Sequence, residues 1–302
     1  MSSIRERISQ VSHISENRLL DKPPLPKSVK IEVTARCDLQ CYFCAVTYKD
    51  RGKGHIDKKF LFGLLDQIRA AGVEEVGLFW MGEPFLNLEL PEYVAYAKQI
   101  GFPYVFLTTN GRMASRDKLQ KVFDSGLDSI KFSINADSRE NFEKVCGVKG
   151  FDRVIENIKT AREVRGPRKK PAIYASSVYD PLNKENYHRI GAMIASYVDE
   201  HYPLHIRGGY TLKENGEETD PSYLNTLESK LPCWPLFTLP YISYDGFMSA
   251  CFCDFDSRLF MANLNEVSFA EAWHSPKFAE LRRHHLNKNV VSTPCEQCIA
   301  YS

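Results

Sequence analysis

From residue 28 onward, short apolar runs alternate with longer amphipathic ones. The runs at 29–34, 76–80, 104–108, 129–134, 172–178 and 204–206 are strand-like, and 58–71, 90–100, 116–125, 151–164 and 186–200 between them read as helices. In the fourth helix Phe151, Val154, Ile155 and Ile158 recur at helical spacing and form an apolar stripe. Gly72, Gly101 and Gly126 each follow a predicted helix, where a C-terminal cap favours glycine. Strands alternating with helices imply a parallel sheet with right-handed crossovers, either doubly wound or curled into a full or partial barrel. The alternation stops near Gly209, short of the eight units of a complete barrel.

The flanks have a different texture. Residues 1–26 are helix-compatible and end in Lys22-Pro23-Pro24-Leu25-Pro26, a stiff connector that cannot continue a helix. The acidic, polar stretch 213–220 reads as an exposed loop and a domain seam. Beyond about 230, short strands are predicted around 241–249, where Asp245-Gly246 suits a two-residue hairpin turn, followed by one amphipathic helix over 269–283.

Composition narrows the function. The 302 residues are 43% hydrophobic and 25% charged, with a formal net charge of +1, ordinary for a globular chain. The near-neutral charge argues against binding nucleic acid through phosphate neutralisation. No apolar run approaches a membrane span, and the polar start lacks the apolar centre of a secretion signal. The nine cysteines are too few for a disulfide scaffold and too clustered for scattered core thiols. A cytoplasmic, reducing location is expected, where such clusters point to metal.

Cys37-Asp-Leu-Gln-Cys41-Tyr-Phe-Cys44 follows the first strand, on the edge where α/β folds place their active sites. Three thiolates on one short loop can hold a [4Fe–4S] cluster and leave one of its four irons open. A closed zinc site would want a fourth ligand nearby, and none is evident. Three cysteines at this spacing, with Phe43 before the third, resemble the signature of the radical SAM superfamily. Other segments fit in order. Trp80-Met81-Gly82-Glu83-Pro84 after the second strand is similar to the family's Gly-Gly-Glu-Pro segment, with Met81 in place of the first glycine. Thr109-Asn110-Gly111 follows the third strand, and Ser133-Ile134-Asn135 the fourth, with Asn135 where the family often has aspartate. The resemblance covers about residues 28–210. It implies a partial (β/α)6 radical SAM barrel that binds S-adenosylmethionine near Phe43, Gly82, Glu83, Pro84, Thr109, Asn110, Ser133 and Asn135. It also implies reductive cleavage to a 5′-deoxyadenosyl radical, with electrons from a donor such as flavodoxin or ferredoxin.

A second thiol set comprises Cys233, Cys251, Cys295 and Cys298, which fit a zinc ion or a fully ligated [4Fe–4S] cluster. The surrounding sequence, from Ile242 through Gly246, Asp254, Asn263, Trp273 and Phe278, resembles the SPASM domain or its shortened twitch form. Full SPASM domains use seven cysteines, and the chain ends four residues after Cys298, so twitch is the better match. The spacing is similar to that of the twitch dehydrogenase that oxidises an amino-cyclitol. The implied cofactors are therefore S-adenosylmethionine and two [4Fe–4S] clusters. The implied domains are an N-terminal extension (1–27), the barrel (28–212) and a small α+β auxiliary-cluster domain (213–302).

The expected function is oxidation of a small polar substrate (a sugar, cyclitol or other alcohol), with hydrogen abstraction followed by one-electron transfer to the auxiliary cluster. Two readings compete with it. A peptide or protein maturase would bind a peptide substrate or a leader, although the first 28 residues are short for a peptide-recognition domain. A redox-neutral epimerase would use Cys253 or Cys146 as hydrogen donor; the bland alternative for each thiol is a small apolar filler.

Overall fold

The computed structural model describes residues 3–44, 52–179, 184–205, 231–254, 256–296 and 298, apart from the side chains of Tyr179 and His205. Helix α1 (Ile4–Ser12) begins at a capping box between Ser3 and Glu6 and precedes strand β1 (Ser28–Ile31). The barrel then runs α2 (Lys58–Ala70), β2 (Glu75–Gly77), α3 (Leu90–Gln99), β3 (Tyr104–Thr109), α4 (Arg116–Asp124) and β4 (Ser129–Ser133). Two helices, α5 (Arg139–Cys146) and α6 (Phe151–Arg165), lead to β5 (Ala172–Tyr179), and α7 (Lys184–Ile194) leads to β6 (Glu200–His205). All six strands pair in parallel, in the order β6-β5-β4-β3-β2-β1.

The pleat sorts the side chains. Val29 and Ile31 on β1, and Ile130 and Phe132 on β4, are fully buried among the core residues, while Lys30 and Lys131 between them point to the other face. Helix α2 supplies Leu61, Leu64, Leu65 and Ile68 to the core at helical spacing, and Asp57 caps its start by accepting from Phe60 N at 2.7 Å.

The C-terminal region continues the same sheet. After α8 (Pro235–Thr238), strand β7 (Tyr241–Ile242) pairs in parallel with β1, placing Tyr241 beside Lys30. β8 (Phe247–Ser249) and β9 (Phe260–Asn263) add antiparallel partners, and α9 (Phe269–Trp273) and α10 (Pro276–Leu286) complete the described elements.

The structure corrects several sequence expectations. The hairpin loop is three residues long, not two: Gly246 N donates to Ser243 O at 3.0 Å, and Gly246 takes the left-handed φ of 95° that closes this form of turn. The single helix expected over 269–283 is two, because Ser275 caps a new helix with Pro276 in its first turn. The helix expected over 186–200 ends at Ile194, and the sixth strand begins at Glu200 rather than 204. Helix α5 did not emerge from the apolar pattern, since it buries only Phe142 and Cys146. The seam expected at 213–220 lies outside the described residues.

Candidate functional site

Beyond β1, the loop carrying Cys37, Cys41 and Cys44 is held mainly by backbone. Gln40 N donates to Cys146 O at 2.9 Å, Tyr42 N to Val145 O at 3.2 Å, and Cys44 N to Cys41 O at 2.9 Å. The end of α5 therefore braces the loop, and Cys146 lies against Cys41, whose thiol it engages. That contact and burial push the Cys41 thiol up, and burial pushes Cys37 up to about 12. Thiolates form at such positions only beside added positive charge. Asn110 Nδ2 lies 3.8 Å from Cys37 Sγ and 2.8 Å from Asp38 Oδ1, and Arg112 binds the other Asp38 oxygen at 2.8 Å.

Gly82-Glu83-Pro84 packs against this loop. Glu83 N donates to Arg36 O at 2.8 Å, and a Cβ on Gly82 would lie 2.8 Å from that same oxygen and closer still to Thr34 O. Close backbone approach thus demands glycine at 82. Glu83 is buried and ties three segments together: Oε1 accepts from Thr109 Oγ1 at 2.7 Å and Phe85 N at 3.0 Å, and Oε2 from Asn110 N at 2.7 Å. Pro84 is buried in the short 3-10 turn that Glu83 caps. Burial raises the Glu83 carboxyl to about 7, against the hydrogen bonds that lower it. Because the folded value exceeds the ordinary 4.5, stability linked to this group falls as pH rises from about 4.5 to about 7. Glu83→Gln turns an acceptor of Asn110 N–H into a donor, so we expect a loss of about 1–3 kcal/mol. In urea titrations the gap to wild type should narrow across that pH window; a gap independent of pH would refute the assignment.

Ser133 ends β4 in register with Ser176. The Asn135 side chain accepts from Val178 N at 2.9 Å and so ties the end of β4 to β5.

Inside the barrel lies a cavity of about 570 Å³, lined mostly by apolar and aromatic groups. Tyr42, Phe43 and Cys44 face it from the strands' C-terminal edge, and Phe252 and Cys253 face it from the C-terminal region. At the opposite end α1 contributes Ile4, Arg7, Ile8 and Val11; Arg7 stacks on Tyr104, 3.4 Å from the ring centroid, and pairs with Glu75. Lys30 and Lys131 line the same cavity. Neither lysine was singled out in the sequence; the available signal was a cation flanked on both sides by apolar residues within a strand.

The second thiol set gathers near this cavity. Trp80 Nε1 donates to Phe252 O at 3.0 Å, joining the Gly82 segment to the loop between Cys251 and Cys253. Cys253 N donates to Cys251 Sγ at 3.3 Å. The two thiols are hydrogen-bonded, which raises Cys253 and lowers Cys251, while Cys233 and Cys298 act electrostatically on Cys253. Cys295 is pushed up to about 12 by burial, with Cys251 and Cys298 adding to the rise. Cys233, Cys251, Cys295 and Cys298 thus lie within electrostatic reach of Cys253 or of one another, whereas Cys146 stays at the first loop, away from the cavity lining. Among the described residues no three Cys, His, Asp or Glu side chains converge as ligands of a single ion would. The donor chemistry fits clusters at both places: crowded thiols that need positive charge to ionise, with an amide N–H aimed at Cys37 sulfur.

A parallel α/β barrel with a three-thiol loop at the C-terminal edge of its first strand defines an iron–sulfur enzyme class. Residues 31–196 match the Radical SAM superfamily, and residues 233–299 match SPASM, an iron-sulfur cluster-binding domain. The chain belongs to the radical SAM superfamily and carries a C-terminal SPASM domain, with S-adenosylmethionine and [4Fe–4S] clusters as cofactors. It is 36% identical over 138 residues to a probable GTP 3′,8-cyclase of Saccharolobus solfataricus, covering 46% of this chain and 44% of that one. A Metallosphaera sedula relative of the same name is 33% identical over 137 residues, covering 45% of this chain and 43% of that one. The chain thus spans less than half the length of these curated relatives. Among solved structures, BtrN in complex with AdoMet and 2-DOIA matches with a TM-score of 0.57 at 18% identity, covering 87% of this chain and 88% of that one. Streptococcus suis SuiB bound to the precursor peptide SuiA matches with a TM-score of 0.69 at 17% identity, covering 92% and 70%. At these identities the likeness is one of fold. Among the described residues no helix is long and apolar enough to cross a membrane.

Proposed function

We propose that this chain is a radical SAM oxidoreductase with one twitch-type auxiliary cluster, acting on a small polar substrate such as a sugar, cyclitol or other alcohol. One observation carries the reading: the loop of Cys37–Cys44 and the loop of Cys251–Cys253 open onto one cavity inside the barrel. Cys37, Cys41 and Cys44 would hold one cluster, and Cys233, Cys251, Cys295 and Cys298 the other. When bound, the first cluster with S-adenosylmethionine supplies hydrogen abstraction, and the second supplies an acceptor for one electron. The chain's own residues position and exclude. Gly82 lets the backbone of its segment approach the thiol loop, and the Glu83–Thr109–Asn110 network fixes that edge. The aromatic wall keeps water and stray hydrogen donors from the substrate.

A second reading rests on Cys253, whose place in the cavity lining lets it return a hydrogen to the substrate. Product analysis separates the two. Anaerobic enzyme, reduced with dithionite and given S-adenosylmethionine with a panel of sugars and amino-cyclitols, should yield 5′-deoxyadenosine and a product lacking two hydrogens. A product carrying one deuterium on carbon in heavy water, abolished in Cys253→Ala, overturns oxidation in favour of epimerisation. The same assay given GTP, if it yields a product of unchanged mass without deuterium, favours the cyclisation named for the archaeal relatives.

A further inference from the structure

We propose that the barrel lumen holds an oxyanion of the substrate, a carboxylate or a phosphate, between the ammonium groups of Lys30 and Lys131. This deepens the small-substrate reading and rests on it. Lys30 is the third residue of β1 and Lys131 the third of β4, and the pleat aims both inward from strands whose flanking residues are core.

Neither ammonium is well compensated. Lys30 Nζ sits 5.2 Å from the Phe79 ring centroid and 5.3 Å from that of Tyr241, and Lys131 Nζ sits 5.8 Å from that of Tyr202. Ring faces at these distances offset only part of what desolvating an ion costs. Among the described residues the only carboxylate lining the cavity is Glu75, and Arg7 already engages it. Burial lowers Lys30 to about 8, and burial together with the Lys30 charge lowers Lys131 to about 7. A wall of rings could as easily have been completed by Leu or Met; two cations held there at a cost in stability are the pattern of a binding site. An oxyanion between them would meet both charges at once, and about 570 Å³ is room for a small ligand.

The test titrates anaerobic, cluster-loaded protein with inorganic phosphate, gluconate and, as neutral control, glucose, followed by calorimetry. At least one anion should bind, and Lys30→Met and Lys131→Met should each weaken it at least tenfold, while the exposed Arg283→Met leaves it unchanged. Phosphate and gluconate distinguish the two oxyanions. Thermal melts supply a second readout. The double variant Lys30→Met, Lys131→Met should melt above wild type without anion, and the bound anion should raise only the wild-type midpoint. The proposal is overturned if neither anion binds wild type, if the double variant binds as tightly, or if it melts lower, which would make the lysines wall supports. Binding is read without turnover. Absence of 5′-deoxyadenosine would therefore sink the enzymatic reading and leave the anion result standing.

Discussion

Anaerobically purified wild-type protein should hold roughly eight irons, and the triple variant Cys37→Ala, Cys41→Ala, Cys44→Ala roughly four, since each cubane contains four. The same variant should release no 5′-deoxyadenosine above background. The variant keeps its fold because the loop's anchors are backbone groups that alanine retains: Gln40 N to Cys146 O, Tyr42 N to Val145 O and Cys44 N to Cys41 O. Iron and sulfide counts with circular dichroism on the same samples separate loss of a cluster from loss of the barrel. If wild type held roughly four irons and the variant almost none, the C-terminal thiols would carry no cluster, and the oxidative reading would fall with them.

Those thiols illustrate what a sequence can disclose. Ligand spacing is a local property, so Cys37, Cys41 and Cys44 were legible, and so was the order of the Gly82, Asn110 and Asn135 segments along successive strands. The barrel's periodicity was equally plain because outward strand residues such as Val29, Ile31, Ile130 and Phe132 are fully buried. Roles that depend on distant partners were not legible. Glu83 read as a cofactor contact, while its buried ties to Thr109, Phe85 and Asn110 depend on partners that only the fold brings in. Cys253 and Cys146 were equivalent spare thiols until the fold put one in the cavity lining and the other behind Cys41. Lys30 and Lys131 lie 101 positions apart and share a cavity only because β1 to β4 curl together. The C-terminal region read as a separate unit, whereas β7 continues the sheet at β1, a pairing between residues more than 200 positions apart. The break at Ser275-Pro276 was legible in principle, since a capping serine before proline marks a helix start.

The C-terminal site depends on a buried hub, and Trp273→Ala should expose that dependence at a cost of about 3–5 kcal/mol. The Trp273 ring is fully buried; its Nε1 donates to Pro23 O at 3.3 Å and Pro24 O at 3.2 Å, so the N-terminal connector is tied to α9. The Arg282 guanidinium lies 4.1 Å from the Trp273 ring centroid and 3.8 Å from that of Phe278, and donates to Leu236 O at 2.7 Å, Trp273 O at 2.8 Å and Asp21 O at 3.1 Å. Burial holds that guanidinium down to about 9, so its rings and carbonyls must offset a large desolvation cost. One turn along α10, His285, held neutral by burial, accepts from Cys233 N at 3.2 Å. Truncating Trp273 therefore leaves a cavity and a poorly supported cation at the base of the helix that positions Cys233. In a urea titration followed by iron release, the variant should lose the C-terminal iron at lower denaturant than the iron of the first loop, with Trp273→Phe intermediate. Simultaneous loss of both would mean that the shared sheet, joined through β7 and β1, makes the two sites one cooperative unit.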